Sequence, residues 1–514
     1  MRVNYPGRRT FLALMGAALG TVETGSAEAQ VQPKRGGVLR VSAPTNPSTL
    51  DPATGSAGSD HVYLYTLYDT LVEWEPSTLE PRPGLAHSWS WPDPTTLVLD
   101  LRPGVVFHDG TACDAEAVKF NLDRGRSDAI SNIKPDLASV REVRVTGPLQ
   151  VTLDLSQPDT ALPLILSDRA GMMVSPKAVR LLGSRHDREP VGSGPWRFVS
   201  WANNEKVIVT RNEKYWKSGL PYLDGVELSV IGEVNTGLRS VIAGQNDFVY
   251  FLSPQQKPIV ERAKNLVSVT GPTLWCIHIY LNFGRKPLND VRVRQALNHA
   301  VDRVAFNKAT ANGLAEPAML TLPSSHWAYD ASLANAYPYD PDKARSLLSE
   351  AGYKDGFELD ILGTSDQRSI QREEVLIEQF LKSGIRLKFT NGVIPNSTTQ
   401  FFVEKKHDAY LSSWTGRPDP TQTYQLMFAK DAFYNAGRAE PVPELAKALQ
   451  DTRKDQGIPE RKQAFARLQK LVTDAALVVP LQFQFEMDAH TTKLRGFKPN
   501  LLGKPRLENV WFDA

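Results

Sequence analysis

The stretch SSWTGRPDPTQTY, Ser412 to Tyr424, sets Arg417 and Asp419 two residues apart. Opposite charges held at a fixed separation suit recognition of a small charged molecule. A guanidinium fork grips both oxygens of a carboxylate, and a carboxylate accepts from an ammonium. Trp414 and Tyr424 flank the charges, Pro418 and Pro420 stiffen the backbone, and Gly416 loosens it. Two readings follow: a solvated loop, or one wall of a site.

Motifs for catalysis are missing elsewhere. No Gly-x-Ser-x-Gly elbow occurs, and VGSGPW (Val191 to Trp196) has its glycines at the wrong spacing. There is no phosphate loop and no dinucleotide fingerprint. The nine histidines include no i, i+4 pair that would present two metal ligands on one helical face. A metal site drawn from distant residues such as His108, His278 and His490 has ordinary core or surface roles as its alternative. The two cysteines, Cys113 and Cys276, make neither a disulfide framework nor a zinc site. They either pair across the fold or act as small buried hydrophobes, and the second is expected. The case against an enzyme therefore rests on absence, and no cofactor and no metal are expected.

A chain of 514 residues needs more than one hydrophobic core, and 41% hydrophobic with 23% charged residues is ordinary for a globular protein. A net charge of +2 lacks the concentrated basic field that nucleic acid or an anionic membrane selects, so neither is expected as a partner. Residues 1–29 are read as an export signal: basic residues Arg2, Arg8 and Arg9, an apolar run from Phe11 to Val22, then Ala27-Glu28-Ala29 before a cleavage near Gln30. RRTFL resembles a twin-arginine address, although Gly7 and Ala13 depart from its usual pattern, so the general secretion route stays open. No cysteine precedes Cys113, which argues against a lipid anchor.

Short Val- and Leu-rich runs ending at Gly, Pro or Asp dominate the first half and read as strands. The second half has marked helices. NDVRVRQALNHAVDR predicts one helix capped by Asp290, with Val293, Leu297, Ala300, Val301 and Val304 on one stripe. YDPDKARSLLSEAG predicts another, with Asp340 as cap, Pro341 at its first position and Gly352 past its end. With the runs FELDIL, IRLKFT and DAYLSSW, this alternation predicts an α/β lobe on a largely parallel sheet. Ligands gather beyond the strand ends of such sheets, where the Arg417 loop falls.

Ten blocks, in order, carry a resemblance over nearly the whole chain after the leader. They include GGVLRVSAPTNPSTLDP, LRPGVVFHDGTACDAEAVKFNLDR, VTRNEKYWKSGLPYLDGVEL, LNDVRVRQALNHAVDR, WTGRPDP and GFKPNLLGKPRLENVWF. Together they resemble the periplasmic solute-binding proteins of the peptide/nickel/opine class of ATP-driven importers, in the dipeptide- and oligopeptide-binding branch. The resemblance implies an α/β, two-lobed periplasmic-binding-protein fold with an extra small β-rich domain and two crossover hinges. Domain I would comprise 34–67, 191–276 and 487–514, the inserted domain II 68–190, and domain III 277–486. The lobes would close on the solute like jaws.

It also implies site residues. In dipeptide binders an arginine early in lobe III clamps the peptide carboxylate, and TSDQRSIQREEV puts Arg368 there, a solvated loop arginine being the alternative. Those binders read Trp-Thr-Gly and then an aspartate that holds the peptide amine. Here Trp414, Thr415 and Gly416 match, but Arg417 stands in the aspartate's place. Three readings stay open: Asp419 takes over the amine, Arg417 meets an anionic part of the ligand, or Arg417 pairs with Asp419 and locks the loop. Asn46 and Trp275 complete the expected ligand-binding set. The expected function is that of a monomeric, exported, periplasmic protein. It would capture a peptide or an opine-like carboxylated solute and pass it to membrane permease subunits. A nickel- or haem-binding protein of the same fold and an exported hydrolase are the rivals.

Overall fold

Two long strands, Leu266–Leu281 and Val478–Thr491, organise the molecule. They pair antiparallel from Leu266 opposite Thr491 to Tyr280 opposite Val478. At one end, Val478–Thr491 also pairs with Phe248–Val249. From there the sheet runs on through Val38–Ala43, Gly225–Val230, Lys206–Arg211 and Trp196–Ala202. At the other end, Leu266–Leu281 pairs with Ala409–Trp414, followed by Phe357–Thr364 and Ile385–Gly392. One sheet thus serves two lobes, and the borders expected at 276/277 and 486/487 fall inside the two strands that cross between them. The computed structural model describes residues 32–55, 57–437, 442–454 and 457–513, so the expected export signal and its cleavage site lie outside the described residues.

The sheet is mixed rather than largely parallel. Phe357–Thr364 pairs in parallel with both neighbours, but the two crossing strands pair antiparallel with each other, and Leu266–Leu281 pairs antiparallel with Ala409–Trp414. Short alternating runs identify strands without fixing their direction. Direction here is set by the chain crossing twice between lobes.

Residues 68–190 contain a separate four-stranded antiparallel sheet in the order Ala86–Asp93, Thr96–Leu101, Gln150–Leu155, Val140–Gly147. The helix Ala115–Ser127, capped by the Asp114 side chain, contributes Val118 and Leu122 to the core it shares with Leu97, Leu99, Val151 and Leu153. Cys113 is buried in that core, while Cys276 is buried with Ala318 and Phe483, and both thiols are free. In VGSGPW, a Cβ on Gly192 or Gly194 would collide with the backbone at Leu67, so the bend needs glycine for close chain approach.

The second lobe is helical on its apolar faces, with one correction. The helix begun at Asp290 ends at His299, and a second, Arg303–Ala311, starts after Asp302, whose carboxylate accepts from the Ala305 N–H. The second cap restarts the helix in a new direction and leaves Val304 71% exposed, off the expected stripe. Pro341–Glu350 follows its signals, with Asp340 capping and Gly352 at φ +92°. The next helix, Gln367–Leu381, starts at Asp366 and so carries Arg368 and Arg372 on its first two turns.

Candidate functional site

Trp414 ends its strand opposite Cys276, which in turn lies opposite Phe483, so three strands bring these residues into one row. Between Pro272 and Cys276 the register slips, and Thr273, Leu274 and Trp275 bulge from the first crossing strand. The Arg417 loop packs on this bulge: Gly416, at φ +77°, lies so close to Leu274 that a Cβ would collide with it. The Trp414 indole N–H donates to Thr423 Oγ1 at 3.1 Å, pinning the ring. Thr415 is exposed.

Arg417 is half-buried. Its guanidinium carbon lies 5.0 Å from the Trp414 ring centroid, and Nη1 donates to the Gly416 carbonyl at 2.8 Å. Among the described residues it makes no ion pair. Tyr434 stands edge-on to Trp414 at 5.1 Å and stacks on Tyr280 at 6.2 Å, extending the aromatic wall. The buried Tyr280 hydroxyl has no hydrogen-bond partner among the described residues.

Asp419 overturns two of the three loop readings. It is fully buried, and Arg461 Nη2 donates to its two oxygens at 3.0 and 2.8 Å. It also accepts from the Thr421 N–H at 2.9 Å, capping the helix Pro420–Phe428. It therefore neither braces Arg417 nor presents a carboxylate to a ligand amine. A two-residue spacing suggested a local pair, but the aspartate points into the helix behind the loop. Asn46 is likewise spent on scaffold. Its oxygen accepts from Trp201 Nε1 and the Asn204 N–H, and its nitrogen donates to the Pro47 carbonyl and Asn203 Oδ1. That fills its hydrogen-bonding capacity, so it ties loops rather than waiting for a ligand.

Three segments far apart in sequence meet near Arg417. Gln422, one turn past the loop, donates to Asp136 of the small domain at 2.9 Å. Burial and the charge of Asp168 push the Asp136 carboxyl up to about 6, against the pull of Arg417. Lys504, from the C-terminal segment, lies 3.6 Å from Asp168, which also meets His61. Although burial opposes it, His61 and Lys504 hold Asp168 well below the usual carboxylate range. Burial, with the charges of Arg417 and Arg169, pushes Lys504 below the usual lysine value despite Asp168. A second contact, Arg453 to Asp159 at 2.7 Å, joins the small domain to the second lobe.

Arg368 is half-buried and makes no ion pair among the described residues. Burial lowers its pKa, with Asp366 opposing. Beside it, Arg372 is pushed down to about 10 by burial and by the Arg368 charge. Arg372 Nη2 donates to Gln484 Oε1 at 3.4 Å, which brings this cationic pair to the second crossing strand one residue beyond the Trp414–Cys276–Phe483 row. Trp275 stacks on Phe251 at 4.9 Å, and its buried indole N–H has no partner. Sequence reasoning missed Arg372, Arg461, Lys504, Tyr280 and Tyr434. Only Arg372 had an accessible signal: it lies one helical turn after Arg368 and so shares its face.

The family model of the bacterial extracellular solute-binding proteins, family 5 (middle region), matches residues 80–435, well over half of the chain. The chain belongs to this family. As a family 5 solute-binding protein it is 28% identical over 475 residues to the glutathione-binding protein GsiB of Escherichia coli K12, covering 89% of this chain and 91% of that one. The fold is shared with the periplasmic binding protein DppA of Helicobacter pylori, solved with the peptide STSA. The TM-score is 0.78 and the identity 24%, over 94% and 99% of the two chains. It is shared too with AgaA of A. tumefaciens R10, solved with agropinic acid, at TM-score 0.76 and 22% identity over 93% and 99%. The two-lobed mixed α/β architecture expected from the sequence is the fold of these proteins. No helix among the described residues is long and apolar enough to cross a membrane. No three of His, Cys, Asp and Glu among them converge as a metal site.

Proposed function

We propose that this family 5 solute-binding protein captures a peptide or a related carboxylated, amino-acid-derived solute outside the cytoplasm and hands it to the permease of an ATP-driven importer. The observation that carries the solute class is Arg417: a cation without an ion-pair partner, set against an aromatic wall where the second lobe, the small domain and the C-terminal segment meet. A partly buried guanidinium of this kind is matched by a carboxylate. The relatives' named ligands, glutathione, a peptide and agropinic acid, all belong to this chemistry. Arg368 with Arg372 offers a second cationic position. The crossing strands would act as the hinge, and the protein would work as a monomer in the periplasm. Residues 1–29 would be its export signal, with Arg8 and Arg9 read as a twin-arginine pair. Solute capture needs no covalent chemistry, so the proposal includes no catalytic role.

Native mass spectrometry of the purified protein, followed by release and identification of the bound molecule, tests this. A copurifying compound bearing at least one carboxylate is the expected result. Calorimetry with glutathione and with the dipeptide Met-Leu follows. A bound solute without any acidic group, or failure of both compounds and of all carboxylated relatives to bind, overturns the proposal.

A further inference from the structure

The second crossing strand carries two buried acids that make no ion pair among the described residues. Glu486 and Asp488 lie two residues apart on Val478–Thr491, and strand geometry puts both on the face that also bears Gln484. Glu486 is 7% exposed and Asp488 fully buried, yet neither makes an ion pair among the described residues. Asp488 accepts one hydrogen bond, from the Phe251 N–H at 3.1 Å, while its Oδ2 and Glu486 Oε1 have no donor. A buried carboxylate is costly unless paired and hydrogen-bonded, so a cation delivered to this place would stabilise the ionised pair.

A separate observation also points to a ligand. The Tyr250 side chain is buried to 7% exposure and its hydroxyl has no partner among the described residues; burial raises its phenol well above the usual tyrosine value, with Tyr63 and both carboxylates adding to the shift. The unpartnered Trp275 indole N–H lies close by, since its ring stacks on Phe251, the residue that donates to Asp488. Gly503 packs against Glu486: a Cβ there would come within 3.2 Å of both Glu486 Oε2 and Thr273. The next residue, Lys504, reaches Asp168 of the small domain and does not turn back to Glu486. Gln484, the residue before the acids on the same strand face, is only half-buried.

We infer that Glu486 and Asp488, with Tyr250, receive a cationic group of the solute, most simply a primary ammonium. The task that Asp419 cannot perform, and that Arg417 would oppose, thereby moves to the hinge strand. Gln484, next along the same face, is where Arg372 arrives beside Arg368. Opposite charges thus line one strand face, and a solute carrying both an ammonium and a carboxylate complements them. This rests on the proposed function and narrows it from carboxylated solutes to zwitterionic ones.

Calorimetry on the purified protein, stripped of solute, tests the inference with glutathione and Met-Leu, their N-acetyl forms and their carboxyl amides. Wild type is expected to bind at least one free-amine compound roughly 30-fold or more tighter than its N-acetyl form, the scale for truncating a buried charge partner. The Glu486→Gln/Asp488→Asn variant is expected to bind the free-amine compound that much more weakly and to lose the discrimination against acetylation. Glu486→Gln alone, with circular dichroism on each variant, guards against a failure to fold. Equal wild-type affinity for free and acetylated amines, or discrimination retained in the folded double variant, overturns the inference. If amidation of the carboxyl still weakens binding in that case, the proposed function survives it. If no compound of the set binds wild type, both fall together.

Discussion

Arg461 holds Asp419 through both carboxylate oxygens, at 3.0 and 2.8 Å, with the two side chains 3% and 0% exposed. The pair joins the helix Ile458–Asp474 to the first turn of Pro420–Phe428, and Thr421 and Thr452 complete the cluster. It anchors the loop that carries Arg417 without touching Arg417.

Breaking a buried pair from one side strands the other charge and costs about 3–5 kcal/mol. Asp419→Ala is therefore expected to lower urea stability by about that amount. Arg461→Ala should cost as much, and the double variant much less than the sum, a coupling of contacting residues that a double-mutant cycle exposes. A fully stable Asp419→Ala protein would contradict the structural assignment.

Arg417 behaves in the opposite way. It is half-exposed and makes no ion pair among the described residues, so Arg417→Ala should leave stability within about 0.5 kcal/mol of wild type. Binding of the carboxylated solute should fall by roughly 30- to several-thousand-fold, as for loss of a buried hydrogen-bonded charge partner. Calorimetry and urea unfolding on the same preparation separate the two effects. A variant that binds as tightly as wild type makes the loop scaffold.

The contrast between these two residues shows how far the sequence can be read. Their types and spacing marked this loop as a candidate wall of a site, because Trp-Thr-Gly follows a strand and precedes a Pro-initiated helix. They could not show where Asp419 points, since its partner lies 42 residues away on another helix. The helix caps at Asp290 and Asp340 were local facts and therefore legible. The break at Asp302 was also local, but it was hidden inside an unbroken apolar stripe. Lys504, Asp136 and the acids of the crossing strand acquire meaning only from contacts made across the whole chain. No periodicity records those.

Gly416 offers a test of the loop's seating. Its φ of +77° penalises any L residue by about 1–2 kcal/mol, and a methyl group would also press on Leu274 at the bulge. Gly416→Ala is expected to cost about 2–3 kcal/mol in urea unfolding. It should also weaken solute binding, because relief of the collision moves the loop off the first crossing strand. If stability and affinity are both unchanged, Leu274 yields freely and the loop is not seated by this contact.

The acids at the crossing strand make stability depend on pH with a definite sign. Burial raises the Glu486 carboxyl well above its ordinary value, with the charge of Asp488 adding to the shift, and burial pushes Asp488 up to about 8. Groups whose pKa is raised on folding bind more protons folded than unfolded. The stability they allow is full below about pH 4 and is lost as pH climbs through the folded values. Wild type without solute should therefore lose stability relative to Glu486→Gln/Asp488→Asn between pH 4 and 8. The upper slope is about 1.4 kcal/mol per pH unit for each group. Taking the difference between the two proteins cancels the opposite contributions of paired carboxylates such as Asp51 and Asp168. A saturating zwitterionic solute should flatten the difference or reverse its sign, because its cation stabilises the ionised pair that the variant lacks. Chemical denaturation at successive pH values, with and without solute, measures both. A flat difference in the solute-free proteins would mean that the two carboxylates already have a cation within the protein.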